Sequence, residues 1–229
     1  FKMDFNLNKN MSRLILFQRN EIMTSFQKKL RKLFGRYLFT QFFSYLNDKD
    51  LISKEYYKIS LKEYLFLKNF FRKNDKNILS IGAGIGGVES IILSRHENFN
   101  LDMIERNFIS TKIKYFWNPN EAYNKLSLTK EFINLNSNND NFEIFDFKNL
   151  DSIVKRYDII FSLFSMDYHY DLKSYKNFLK KNSHKQTLFI FDTIRAKDLK
   201  NFFNHVQVLE NVKKEIHSHS RVLCKEILG

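Results

Sequence analysis

From Ser12 to about Asn47 the apolar residues Leu14, Phe17, Ile22, Phe26, Leu30, Leu33, Phe34, Leu38, Phe42 and Tyr45 recur every third or fourth position. That spacing gathers them on one face of a helical segment. Ser12 is placed to cap its start, and Gly35 to divide it into two helices. A further helical pattern covers about 60–72, and Asn74-Asp75-Lys76 forms a turn. From Asn77 the rhythm changes. Short β-type runs, 77-NILSI, 101-LDMI, 142-FEIF, 157-YDIIFS and 187-TLFIF, are separated by helical patterns near 87–95, 108–116, 120–135, 171–181 and 195–203. Strands alternating with helices predict an α/β chain, a mostly parallel sheet with helices on both faces. The last two runs, 205-HVQVL and 221-RVLCKEIL, have no helix between them. They predict an antiparallel hairpin at one sheet edge, bringing the strand count to seven. The change of rhythm divides the chain into an N-terminal helical extension, 1–73, and an α/β domain, 74–229.

Composition adds boundaries. Hydrophobic residues make up 43% of 229, enough for a sizeable core. No apolar run approaches the ~20 residues that span a bilayer, and no signal-peptide pattern opens the sequence. The single cysteine, Cys224, excludes an internal disulfide framework and a cysteine-type zinc site. A cytoplasmic protein is the expectation. The net charge of +13 is unevenly spread: residues 1–73 carry 16 Lys/Arg against 6 Asp/Glu, and the remainder is close to balance. Basic excess points to an acidic partner, such as nucleic acid, an anionic membrane surface or a phosphorylated substrate. The joint abundance of Lys, Asn, Ile and Phe is also what an AT-rich coding sequence yields without selection for binding.

Four of the six glycines fall within 82-GAGIGG-87, between a predicted strand and a predicted helix. Glycines there permit a tight turn and close approach of ligand atoms, and the helix N-terminus presents N–H groups. Glu105 follows about twenty residues on, at the end of the next strand, where a carboxylate can accept from both hydroxyls of a ribose. The combination predicts a nucleoside cofactor. The glycine spacing alone would serve NAD equally.

The residues that follow, 145-FDF-147 and 157-YDIIFSLFSMDYHYD-171, together with the glycine turn and Glu105, resemble the Rossmann-like class I S-adenosyl-L-methionine (SAM)-dependent methyltransferases over about 77–227. The resemblance implies a seven-stranded Rossmann-like sheet with an antiparallel terminal strand. It also implies SAM as methyl donor and S-adenosyl-L-homocysteine as product. Gly82, Ala83, Gly84 and Gly86 would lie by the methionyl arm, and Glu105 with Arg106 at the ribose. Asp146 and Phe147 would sit at the adenine, and Ser162 and Leu163 along the cavity wall. The family's usual carboxylate two residues before the first glycine is replaced by Ser80.

Transfer of a methyl group to oxygen requires a base near the acceptor. The loop 164-FSMDYHYD-171 offers His169 as first choice, because its ordinary pKa near ~6.5 suits reversible proton transfer. Asp167 is the alternative base or orienting partner, and Asp171 a helix cap. Tyr168, Tyr170 and Tyr57, with Tyr56, are candidate acceptor-lining residues. Asp192 beside Asp167 and His169 does not fix a ligand spacing, so no resident metal is expected. His217 and His219 read as exposed. The basic stretch 27-QKKLRKLFGRYLF-39 admits an RNA-binding face, a membrane-surface helix, or a solvated exterior whose apolar stripe packs on the catalytic domain. In the methyltransferase family such N-terminal helices commonly form a lid, and they offer a surface for oligomerisation.

The leading expectation is O-methylation of a small polar acceptor, such as a sugar or phosphate-linked intermediate of surface polysaccharide synthesis. RNA methylation is the second, on the basic N-terminal segment, although no Asn/Asp-Pro-Pro-aromatic motif follows the fourth strand. Aminopropyl transfer and a non-catalytic SAM-binding module rank lower.

Overall fold

The structure, a computed structural model, describes residues 4–43, 48–110, 123–163, 165–166, 172–212 and 219–228. Its helices are α1 (Lys9–Gln18), α2 (Ser25–Phe34), α3 (Arg36–Phe43), α4 (Lys49–Leu67), α5 (Gly87–Arg95), α6 (Leu126–Asn136) and α7 (Lys176–Lys181). Its strands are β1 (Asn77–Ile81), β2 (Asn100–Glu105), β3 (Phe108–Ile109), β4 (Tyr123–Asn124), β5 (Phe142–Asp146), β6 (Ile159–Ser162), β7 (Leu188–Thr193), β8 (Phe203–Val212) and β9 (His219–Ile227). They fall into two compact units. One is helical, built from 1–69, 84–97 and 106–140; the other is built on the sheet, from 70–83, 98–105 and 141–229.

The sheet unit has seven strands in the order β5-β2-β1-β6-β7-β9-β8. All neighbours are parallel except those of β9, which runs antiparallel to both β7 and β8. The expected terminal hairpin is present, with β9 inserted beside β7 and β8 left at the edge. Central strands buried on both faces need continuous apolar runs. Accordingly β6 and β7 are buried at every position, whereas the edge strand β5 is partly exposed throughout. Leu79, Ile160, Phe189, Phe191, Phe203 and Val222 belong to one core cluster, with the Phe189 and Phe203 rings 5.0 Å apart. Cys224 lies in this core, and burial pushes its thiol up to about 12. The chain runs outward from β1 through β2 to β5, then resumes on the other side of β1 at β6. The order therefore reverses between β1 and β6, and in such sheets ligands usually bind outside the carboxyl ends of the strands at that point.

In the helical unit, α1 is capped by Asn8, whose Oδ1 accepts from Met11 N–H at 2.9 Å. Ser12, the expected cap, lies one turn inside, and its hydroxyl donates back to the Asn8 carbonyl. Thr24 and Gln27 form a reciprocal capping box that starts α2, a break that apolar spacing alone did not mark. Gly35, at φ 79°, separates α2 from α3 as expected. The segment expected over 60–72 starts much earlier: α4 begins after Asp48, whose carboxylate accepts from Asp50 N–H. Phe5 anchors the interior, its ring 5.0 Å from Phe132 of α6 and 5.5 Å from Tyr56 of α4.

Several expected helices are corrected. Phe108–Ile109 is a strand paired antiparallel with Tyr123–Asn124, so these positions of the expected helices 108–116 and 120–135 are extended, and the second helix begins at Leu126. Residues 172–175 form a 3-10 turn ahead of the short α7, and only 198–201 within 195–203 is helical, again as a 3-10 turn.

Candidate functional site

In the sheet unit, the carboxyl ends of three adjacent strands carry the expected cofactor residues. Glu105 ends β2 and Asp146 ends β5, and the two are direct partners in the parallel ladder. Gly82, just past β1, donates its N–H to the Ile104 carbonyl at 2.8 Å, which joins the start of the turn to the residue before Glu105. The Asp146 carboxylate accepts from Lys148 N–H at 3.0 Å, capping the 3-10 turn 147–152 and so fixing its own orientation. Phe147 is half-buried and meets Tyr175 edge-on at 5.4 Å. Glu105, Asp146 and Gly82 are all partly accessible.

At the switch point, Ser162 is fully buried and its hydroxyl is used twice. It donates to the Ile81 carbonyl at 2.8 Å and accepts from Met166 N–H at 2.9 Å. The side chain thus ties the end of β6 to the end of β1 and starts the following loop. Leu163 is buried beside it. Gly82 has φ 78°, and a β-carbon there would also collide with the Ser165 side chain, so backbone freedom and close approach both require glycine.

In the helical unit the rest of the turn is pinned by side chains from distant sequence. Gln18 at the end of α1 accepts from Ile85 N–H at 3.1 Å and donates to the Tyr123 carbonyl at 2.8 Å. The Gly87 N–H, at the first position of α5, donates to the Tyr56 hydroxyl at 3.1 Å. The Gly84 carbonyl accepts from Asn124 Nδ2 at 2.7 Å and from Thr129 Oγ1 at 2.9 Å. A β-carbon at Gly87 would fall 2.6 Å from Tyr56 Cζ and against Ser60, and one at Gly84 would fall 2.7 Å from Gln18 Oε1. The glycines therefore make room for the protein's own side chains. Gln18, Asn124 and Thr129 were not singled out from the sequence, and Tyr56 was only as an acceptor-lining residue, because each acts across 31 to 67 positions of sequence and carries no spacing signal.

Tyr56 is buried in this core, a correction to its expected place along an acceptor pocket; Tyr57 is half-buried, edge-on to Phe5 at 5.2 Å. Burial raises the Tyr56 hydroxyl pKa, against the pull of the Arg19 cation, so it stays protonated beside Gly87. Arg19 is held above its ordinary pKa: burial works against its charge, but Glu63 at 3.2 Å, with Glu21, more than offsets that. Arg106 is half-buried in the same unit.

Asp192 at the end of β7 is wholly buried, its two oxygens 2.6 and 2.7 Å from Arg221 of β9. His219, expected to be exposed, is buried with Nε2 3.9 Å from Asp192. These groups brace the β7–β9 pairing. Asp167, Tyr168, His169, Tyr170, Asp171 and His217 lie outside the described residues.

No protein-family model matches the sequence, and no curated protein matches it. Solved structures do share its fold. One is a Staphylococcus aureus protein assigned as a caffeoyl-CoA O-methyltransferase: 15% identity, 88% of this chain and 100% of that one covered, TM-score 0.51. A Nostoc punctiforme protein assigned as an O-methyltransferase gives 9% identity, 76% and 58% coverage and a TM-score of 0.54. The O-methyltransferase domain of StiE gives 12% identity, 78% and 76% coverage and a TM-score of 0.52. The chain has the Rossmann-like fold of the class I SAM-dependent methyltransferases, with its seven-stranded, mostly parallel sheet.

Proposed function

We propose that the protein is a SAM-dependent methyltransferase acting on an oxygen of a small polar acceptor. The observation that carries this reading is the pairing of Glu105 with Asp146 at neighbouring strand ends, beside the Gly82 turn. Two carboxylates so placed suit the hydroxyls of a ribose and the amino group of an adenine. The turn itself is unsuited to a pyrophosphate. The N–H groups of Ile85 and Gly87, which a dinucleotide phosphate would need, already donate to Gln18 and Tyr56. With these two donors already engaged, the turn favours a nucleoside cofactor that places no phosphate there.

Bound SAM supplies an electrophilic methyl group. The chain's own residues hold and orient: Glu105 accepts from the ribose hydroxyls, Asp146 from the adenine amino group, and Gly82 and Ala83 offer backbone to the methionyl arm. Ser162 sets the course of the loop after β6, on which His169, with Asp167, takes the acceptor proton. Alignment of donor and acceptor supplies most of the rate. A sugar or sugar-phosphate acceptor suits the polar, aromatic character of the sequence 164–171. Calorimetric titration of SAM, S-adenosylhomocysteine and NAD tests the cofactor assignment. SAM and its product bind and NAD does not; the reverse order would overturn it.

A further inference from the structure

The helix α2 is attached by the face that charge alone would put outside. Arg31 is 2% exposed, and its guanidinium donates to the carbonyls of Leu16 and Phe17 at 3.3 and 3.4 Å. Those are carbonyls of the last turn of α1, which have no partner within their helix, and a cation there also meets the negative end of the helix dipole. With Arg31 turned inward, the apolar residues two turns apart on the far side are turned outward. Phe26 is 68% and Leu33 76% exposed, Phe34 42%, and Phe42 of α3 70%. Of the apolar residues within 27–39 only Phe39 is buried, while Leu33 and Phe34 are exposed. Lys29 and Lys32 are exposed beside it and Lys28 partly so, and no Asp or Glu occurs anywhere from 22 to 47.

We propose that α2 lies flat on an anionic phospholipid bilayer, with Phe26, Leu33 and Phe34 in the headgroup–acyl boundary and Lys28, Lys29 and Lys32 at the phosphates. A short helix with Phe and Leu on one face and Lys on the other is the pattern of interfacial binding. No described helix is long and apolar enough to cross a membrane, so α2 would rest on the surface. Charge chooses the occupant. A second copy of the chain would bring lysine against lysine across the contact. Nucleic acid would satisfy the lysines but leave Leu33, the most exposed of these residues, without an apolar surface, since bases stack on rings.

The test is flotation of the full chain with phosphatidylcholine–phosphatidylglycerol vesicles against pure phosphatidylcholine. The chain floats with the anionic vesicles at low salt and not with the neutral ones. Phe26→Ser with Leu33→Ser lowers the partition coefficient at least about ten-fold. Each of Lys28→Gln, Lys29→Gln and Lys32→Gln lowers it about five-fold. Thermal unfolding of the double variant matches the parent, because both side chains are exposed. Three results overturn the proposal: no flotation at low salt, flotation unchanged in the Ser variant, or retention by RNA or self-association in place of vesicle binding.

Discussion

The two units hold the ends of the same glycine turn by opposite means. In the sheet unit, geometry comes from the backbone ladder: β1, β2 and β5 lie in parallel register, and the side chains at their ends, Glu105 and Asp146, need only stand where the strands stop. In the helical unit, no ladder reaches the turn. Its N–H and carbonyl groups are satisfied one by one by Gln18, Tyr56, Asn124 and Thr129, each delivered by a different stretch of chain. A ladder tolerates change at one side chain and sets strand-end carboxylates at the sheet's rim by backbone register alone. Side-chain pinning occupies the N–H groups of Ile85 and Gly87 and makes each pinning residue matter to stability.

The comparison breaks most severely where the sheet departs from its own rule, at the buried ion pair of β7 and β9. Arg221→Ala leaves Asp192 buried without its main partner and is expected to cost about 3–5 kcal/mol in chemical denaturation. In the helical unit, Tyr56→Phe leaves the Gly87 N–H buried without an acceptor, at a cost of about 1–3 kcal/mol. A cost near zero would show that the turn is not held this way.

A smaller effect tests the start of the ladder. Asp158 accepts from the N–H groups of Lys76 and Asn77 at 2.8 and 2.9 Å and from His184 at 3.1 Å. Burial pushes its carboxyl up, but these donors outweigh burial and hold it below its ordinary value. A depressed pKa contributes stability that is complete above the unfolded value, near ~3.9, and is lost as pH falls through the folded one. Asp158→Asn is therefore expected to destabilise at neutral pH by about 1–2 kcal/mol, with the difference from the parent shrinking below about pH 4. Denaturation midpoints of both proteins across pH 3–7 check it.

The same contrast explains what could be read from the sequence. β1, the turn and α5 were legible to the residue, because a buried parallel strand is a continuous apolar run and glycines punctuate its end. The seven strand runs were legible for the same reason. Phe108–Ile109 was not: two residues carry no period, and only their pairing with Tyr123–Asn124 makes them a strand. The start of α4 was hidden because its apolar residues are interleaved with Lys and Glu, leaving Asp48 as the only local sign. The outward face of α2 was unreadable, because periodicity gives a stripe but not its direction. Direction was decided by Arg31 finding the carbonyls of α1. The strand-end positions of Glu105 and Asp146 followed from the strand runs, whereas Ser80 carried no comparable signal.

The central claim is that Glu105 at the end of β2 holds a nucleoside cofactor that carries no phosphate at the glycine turn. Titration of SAM into the parent and into Glu105→Ala, with thermal unfolding of both without ligand, tests it most directly. The account predicts loss of roughly ten-fold or more in SAM affinity, as for removal of a charged hydrogen-bond partner, in a variant that still unfolds cooperatively. Equal SAM affinity in the two proteins would contradict it.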